Sequence, residues 1–377
     1  MLPIKKSVWG KKSALLFANK SFVFSIVSLF VLLFFVRERL TIISNFQEFL
    51  IGFFWFFSLV LANSFVSVKH AEKLAKHYGE PYGSLILTFA ATAIEFSSIW
   101  DIMSSGENLT FARDTIYSVI MIILGGMIGT VLLVGGIYHK EQKINLEGAR
   151  AFISVIVPLA VLILILPNFT RSTQGPTFSK FQTLFYIFAC LFLYLLFLVV
   201  QTVRHRKYFF LDEMETNPVA REKDDQKASF PFYHVLMLVV SLLFVVFFAE
   251  KLAFPIEYAI EKMKAPKVVG GFLIALLVLL PESLTAIEAA IYNGLQRSVN
   301  ILLGSVCATI GLTLPLILAF SLLKSSSLIL GLSQVEATLL VLTLLLCQIT
   351  FSGGKTNILQ GAVHLLLFFS YLIMMFD

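Results

Sequence analysis

Apolar runs long enough to cross a bilayer recur from one end of this chain to the other, as in VVGGFLIALLVLLPESLTAIEAAI at residues 268–291. Hydrocarbon offers no water to backbone N–H and C=O groups, so only helices or closed barrels span it, and unbroken rather than alternating apolar runs select the helix. Of 377 residues, 58% are hydrophobic and 14% charged, too little polar surface to cover a water-soluble core of that size. The sequence predicts an all-α polytopic membrane protein of about 11 transmembrane helices. The expected spans are 21–36, 47–68, 81–103, 114–138, 149–167, 178–202, 232–254, 267–292, 298–322, 328–351 and 356–376.

The net charge of +6 comes from basic residues in short loops between spans, where they set orientation, so no nucleic-acid partner is indicated. Most of the 29 Lys and Arg fall on the side of the N-terminus. The positive-inside rule places that side in the cytoplasm, and an odd helix count sends the C-terminus outside. The start, MLPIKKSVWGKKSALLFANK and then SFVFSIVSLFVLLFFV, is similar to a secretory signal. The small-residue cleavage pattern is missing and Arg37 follows, so residues 1–46 read as a basic segment with a retained first helix. Cys190, Cys307 and Cys347 stand alone in apolar runs and give neither a metal pattern nor a disulfide set. A polar segment, 204–230, falls on the cytoplasmic side; it is either a solvated linker or, through Asp212, Glu213, Glu215, Glu222, Asp224 and Asp225, a cation sensor.

The two halves on either side of that linker repeat each other. AEKLA occurs at 71–75 and again at 249–253. Each copy is followed by a glycine, a stretch of apolar helix and a glutamate: Gly83 to Glu95 in GSLILTFAATAIEFSS, and Gly271 to Glu282 in GFLIALLVLLPESLT. A second acid follows each, Asp101 or Glu288, then an arginine, Arg113 or Arg297, then a small-residue helix, LGGMIGTVLLVGG or LGSVCATIGLTLP. Residues 47–203 and 231–377 are thus expected to be two five-helix repeats. An odd number of spans in each makes them inverted, with Glu95 and Glu282 meeting near the midplane, an architecture of secondary transporters.

A carboxylate inside the bilayer costs on the order of 3 kcal/mol, so each glutamate calls for a reason. Pro281 removes a backbone donor beside Glu282 and is expected to kink or break its helix. Glu95, Glu282, freed carbonyls and hydroxyls from Thr92, Ser97, Ser283, Thr285 or Ser305 would form an all-oxygen site, which hard cations such as calcium or sodium require. Two carboxylates in a dry site do not both ionise cheaply, so the pair takes up protons or a cation, and exchanging one for the other is antiport. Asp101 and Glu288 are either stations on the access routes or helix-end charges. His234 and His364 are either proton relays or satisfied interior histidines. Asn357 and Gln360 either bond across the bundle or, with Thr356, cap the last helix. The small residues Gly125, Gly126, Gly129, Gly304, Ser305, Ala308 and Gly311 read as close helix packing. An intramembrane enzyme would need a nucleophile or metal triad, and the sequence offers none.

GEPYGSLILTFAATAIE, LPESLTAIEAA, LPNFT, VQTVRHRKYF and TNILQGAVHLLLF together resemble the bacterial cation/proton antiporters of the calcium/cation antiporter superfamily, from about residue 69 to the C-terminus. The resemblance implies a multi-pass exchanger of the bacterial inner membrane that moves calcium, with sodium or potassium as the alternative, against protons and without a cofactor. It also implies that Glu95 and Glu282 are the essential acids. The related vacuolar branch carries Gly-Asn shortly before each glutamate, where this chain has Ala91-Thr92 and Val278-Leu279. Without those two amide oxygens, calcium and sodium both stay open.

Overall fold

A computed structural model of the chain describes residues 25–28, 45–78, 82–104, 109–209, 231–264, 266–324 and 328–376. The linker acids and most of the expected first span lie outside these residues. The described part is mostly helical. It includes seven helices long and apolar enough to cross a membrane, with the shorter apolar helices Gln334–Thr350 and Ile358–Met374.

The helices are α1 (Phe46–Tyr78), α2 (Tyr82–Ser104), α3 (Phe111–His139), α4 (Leu146–Leu164), α5 (Lys180–Val199), α6 (Pro231–Glu261), α7 (Lys267–Ile291), α8 (Leu295–Leu323), α9 (Gln334–Thr350) and α10 (Ile358–Met374). Two of them outrun the expected spans. α1 continues through its AEKLA to Tyr78 because Ala, Glu, Leu and Lys are all strong helix formers, and α6 runs on past Phe254 to Glu261. α9 starts later than expected. Residues 328–332 are apolar but not helical; Leu330 N–H donates to the Pro176 carbonyl and Leu332 N–H to that of Leu164, and Ser333 with Glu336 then forms a capping box. Asn357 and Gln360 form the same box at the start of α10, so their polar groups cap that helix instead of bridging the bundle.

Pro281 is the clearest departure from expectation. α7 runs without a break from Lys267 to Ile291 with Pro281 inside it. A proline deletes a single N–H, the one that would reach the Leu277 carbonyl, and α7 stays helical on both sides of it; Ser283 Oγ and Thr285 Oγ1 bond back to the Leu279 and Pro281 carbonyls at 2.7 and 3.1 Å. The helical interruptions lie elsewhere. α3 passes through a π-turn at Ile122–Met127, and α8 through another at Thr309–Thr313. Each opens the same number of residues beyond its glutamate, Ile122 after Glu95 and Thr309 after Glu282.

α1 and α6 pack along one another in opposite directions, with Phe49 stacked on Tyr258, Ser67 Oγ donating to Ser241 Oγ at 2.8 Å, and His70 against His234. α2 and α7 lie beside this pair, and α3 packs on α7 while the π-turn of α8 packs on α2. A Cβ on Gly271 would stand 2.8 Å from the Thr115 nitrogen, so α7 reaches α3 at backbone distance only because that residue is glycine. α10 covers α3 and α5 covers α8. A short antiparallel pair, β1 (Glu141–Lys143) with β2 (Lys355–Asn357), joins the loops that follow α3 and precede α10. Large apolar side chains face outward, Phe181 at 80% and Leu323 at 85% exposure, while serines, threonines and Asn63 are buried. That distribution suits a hydrocarbon surround.

Candidate functional site

Glu95 sits in the middle of α2, 6% exposed, and faces the π-turn of α8. Thr309 Oγ1 donates to both of its carboxylate oxygens, at 2.9 and 3.0 Å, and Thr313 Oγ1 donates to Oε2. Elsewhere in these helices hydroxyls turn to their own backbone, as Thr115 and Thr130 do to the carbonyls of Phe111 and Gly126. The π-turn aims two of them at a carboxylate on another helix.

Glu282 lies on α7, near enough to Glu95 for the two carboxyls to repel when both are charged. Its Oε2 is buried without a hydrogen-bond partner, and so is the hydroxyl of Thr92, one turn before Glu95. Ser305 lies on α8, which packs on α7. α2, with Thr92 and Glu95, α7, with Glu282, and α8, with Ser305, Thr309 and Thr313, pack on one another. Among the described residues no group of three or more His, Cys, Asp or Glu is placed to hold a metal. The donor set consists of two carboxylates and neutral hydroxyls, which fits a hard cation and gives nothing soft to bind a transition metal.

The other expected residues are placed differently. Ser283 and Thr285 spend their protons on carbonyls of α7. Ser97 is half-buried, two residues past Glu95, where helical geometry turns it to another face. Glu288 is exposed in the last turn of α7. Asp101 lies in the last turn of α2 and its side chain is outside the described set. His364 is fully buried with Nδ1 2.6 Å from the Leu124 carbonyl and Nε2 3.0 Å from Thr350 Oγ1, a satisfied interior histidine. His234 pairs with His70, Nδ1 to Nδ1 at 2.8 Å. Thr309 and Thr313 were missed. Their signal was present in ATIGLTLP, two hydroxyls four residues apart in a helix otherwise made of small and apolar residues.

The model of the sodium/calcium exchanger protein family matches residues 48–203 and 233–376. The chain belongs to that family. Within reach of this exchanger chain are the protein y4hA of Sinorhizobium fredii, 40% identical over 82% of this chain and 84% of its own length, and the sodium-potassium/proton antiporter ChaA of Escherichia coli, 36% identical over 84% and 86%. Among solved structures, the H+/Ca2+ exchanger CAX superposes with a TM-score of 0.71 at 16% identity, covering 96% of this chain and 88% of that one. At that identity the likeness is one of fold.

Proposed function

We propose that this exchanger-family chain is a secondary cation/proton antiporter of the bacterial inner membrane, in which Glu95 and Glu282 form one site that holds either a cation or protons. What supports the reading is that α2 and α7, each carrying a glutamate inside the bundle, pack on each other and on α8, whose threonine hydroxyls donate to Glu95 while one oxygen of Glu282 is buried without a partner. Two carboxyls in a poorly hydrated interior need a counter-charge, and a cation or protons supply it in mutually exclusive ways. Thr92 and Ser305 serve as neutral ligands beside them. The unpartnered Thr92 hydroxyl and Glu282 Oε2 support this, since buried polar atoms without partners are rare outside functional sites.

The finer architecture is two inverted repeats, 47–203 and 231–377, behind an N-terminal helix, with the N-terminus cytoplasmic and the C-terminus outside. The opposed directions of α1 and α6, the matching positions of the two π-turns and the two stretches matched by the family model support it. Alternating access to the shared site then couples the two fluxes, and no chemical catalysis is involved.

The cation is calcium, for which two carboxylates supply a matching double charge. A second reading, sodium or potassium against protons, is favoured by the name of the 36% identical ChaA. Everted membrane vesicles carrying a pH-sensitive dye separate the two. Dequenching on micromolar calcium is expected; a response to sodium or potassium alone transfers the assignment to the second reading. Loss of every response in Glu95→Gln is expected, and normal exchange in that variant refutes the site.

A further inference from the structure

The repeat makes the two glutamates look equivalent, but their surroundings are not. The π-turn of α8 places Thr309 and Thr313 on one face, and both hydroxyls donate to Glu95. The π-turn of α3 carries Ile122 and Gly126 at the corresponding positions, neither with a hydroxyl, and Ile122 is fully buried among apolar residues. Glu282 keeps one buried oxygen without a partner.

We infer that Thr309 and Thr313 are positioning residues that anchor Glu95, so that the site is built from one fixed acid and one free acid. This rests on the antiport site proposed above and assigns unequal roles within it. With both of its oxygens already bonded, Glu95 is held in a single orientation before any cation arrives. Each threonine hydroxyl gives its one proton to the carboxylate, so both act on the cation only through Glu95. Glu282, with a bare oxygen, is the arm that completes the site around the incoming ion. The anchoring is therefore a preorganisation of the cation site. Removing it costs affinity, because the order now supplied by folding must be supplied by binding.

The test is cation affinity against maximal rate in everted vesicles, with calcium, sodium and potassium each added as the probe. Valine has the shape of threonine without its hydroxyl. In Thr309→Val/Thr313→Val the KM for the transported cation is expected to rise about tenfold, the equivalent of one hydrogen bond to a charged group. The maximal rate is expected to stay within about twofold. Thr309→Ser/Thr313→Ser, which restores both hydroxyls, is expected to return KM to near the wild-type value. An unmoved KM in the valine variant, a change in rate alone, or no recovery with serine overturns the inference. If the double valine chain does not fold, Thr309→Val against Thr309→Ser decides on the same ratio. Wild-type vesicles that exchange no cation for protons refute the antiport reading itself, an outcome distinct from normal wild-type exchange with an unmoved KM in the variant.

Discussion

Replacing His364 by leucine separates a pinning role from proton relay. The side chain bonds the Leu124 carbonyl at 2.6 Å and Thr350 Oγ1 at 3.0 Å, with all three residues at 1% exposure or less. Because a carbonyl only accepts, Nδ1 carries the proton and Nε2 accepts from Thr350. Leu124 lies in the π-turn of α3, where the bonding pattern slips from i+4 to i+5 and carbonyls need outside partners. Leucine fills similar space with no polar atom. The orphaned carbonyl costs about 1–3 kcal/mol, and the Thr350 hydroxyl, which can turn elsewhere, adds about 1 kcal/mol more. The sum, about 2–4 kcal/mol, corresponds to a midpoint lowered by about 3–5 °C in a chain of this size. The assay is thermal unfolding of detergent-purified protein, followed by exchange measured per folded molecule. A lowered midpoint with exchange retained is expected. An unchanged midpoint with exchange abolished would refute the argument and make His364 a relay.

Gly271→Val forces a Cβ to within 2.8 Å of the α3 backbone, which cannot give way, so a lower midpoint and a poor folded yield are expected. Gly304→Ala, whose nearest atom would be 3.8 Å away, serves as the tolerated control. Arg113→Ala strips Asp114, 1% exposed, of a partner at 2.7 Å and frees the Gly331 carbonyl. A loss of about 3–5 kcal/mol in denaturant unfolding is expected, partly recovered by adding Asp114→Asn. Glu282→Gln is expected to abolish cation and proton movement together in vesicles, and proton-independent cation flux would be the contrary result.

The glutamates were legible in the sequence because a carboxylate in an apolar run is expensive and so stands out. Thr309 and Thr313 did not stand out, because a hydroxyl in a membrane helix ordinarily bonds its own backbone, as Ser283 and Thr285 do. What redirects the threonines is a π-turn, which arises from packing and has no composition of its own. Pro281 misled in the opposite direction. A proline is conspicuous, yet it deletes a single N–H and α7 stays helical through it. The length of α1 was underestimated because hydropathy marks where lipid ends, whereas helix propensity continues through AEKLA.

The β1–β2 clasp bears on how such a molecule could move. Its three residue pairs, Glu141 with Asn357, Gln142 with Thr356 and Lys143 with Lys355, are extended by the Ile144 N–H to the Gly354 carbonyl at 3.0 Å. Every one of these ties joins the first half of the polypeptide to the second, and the laying of α10 on α3 and α5 on α8 does the same. The two halves are plaited together, so the midpoint of the chain is not a seam along which the body can part. Whatever displacement opens the centre first to one side and then to the other must run across the plait, sliding some strands of the weave past a remainder that stays knotted.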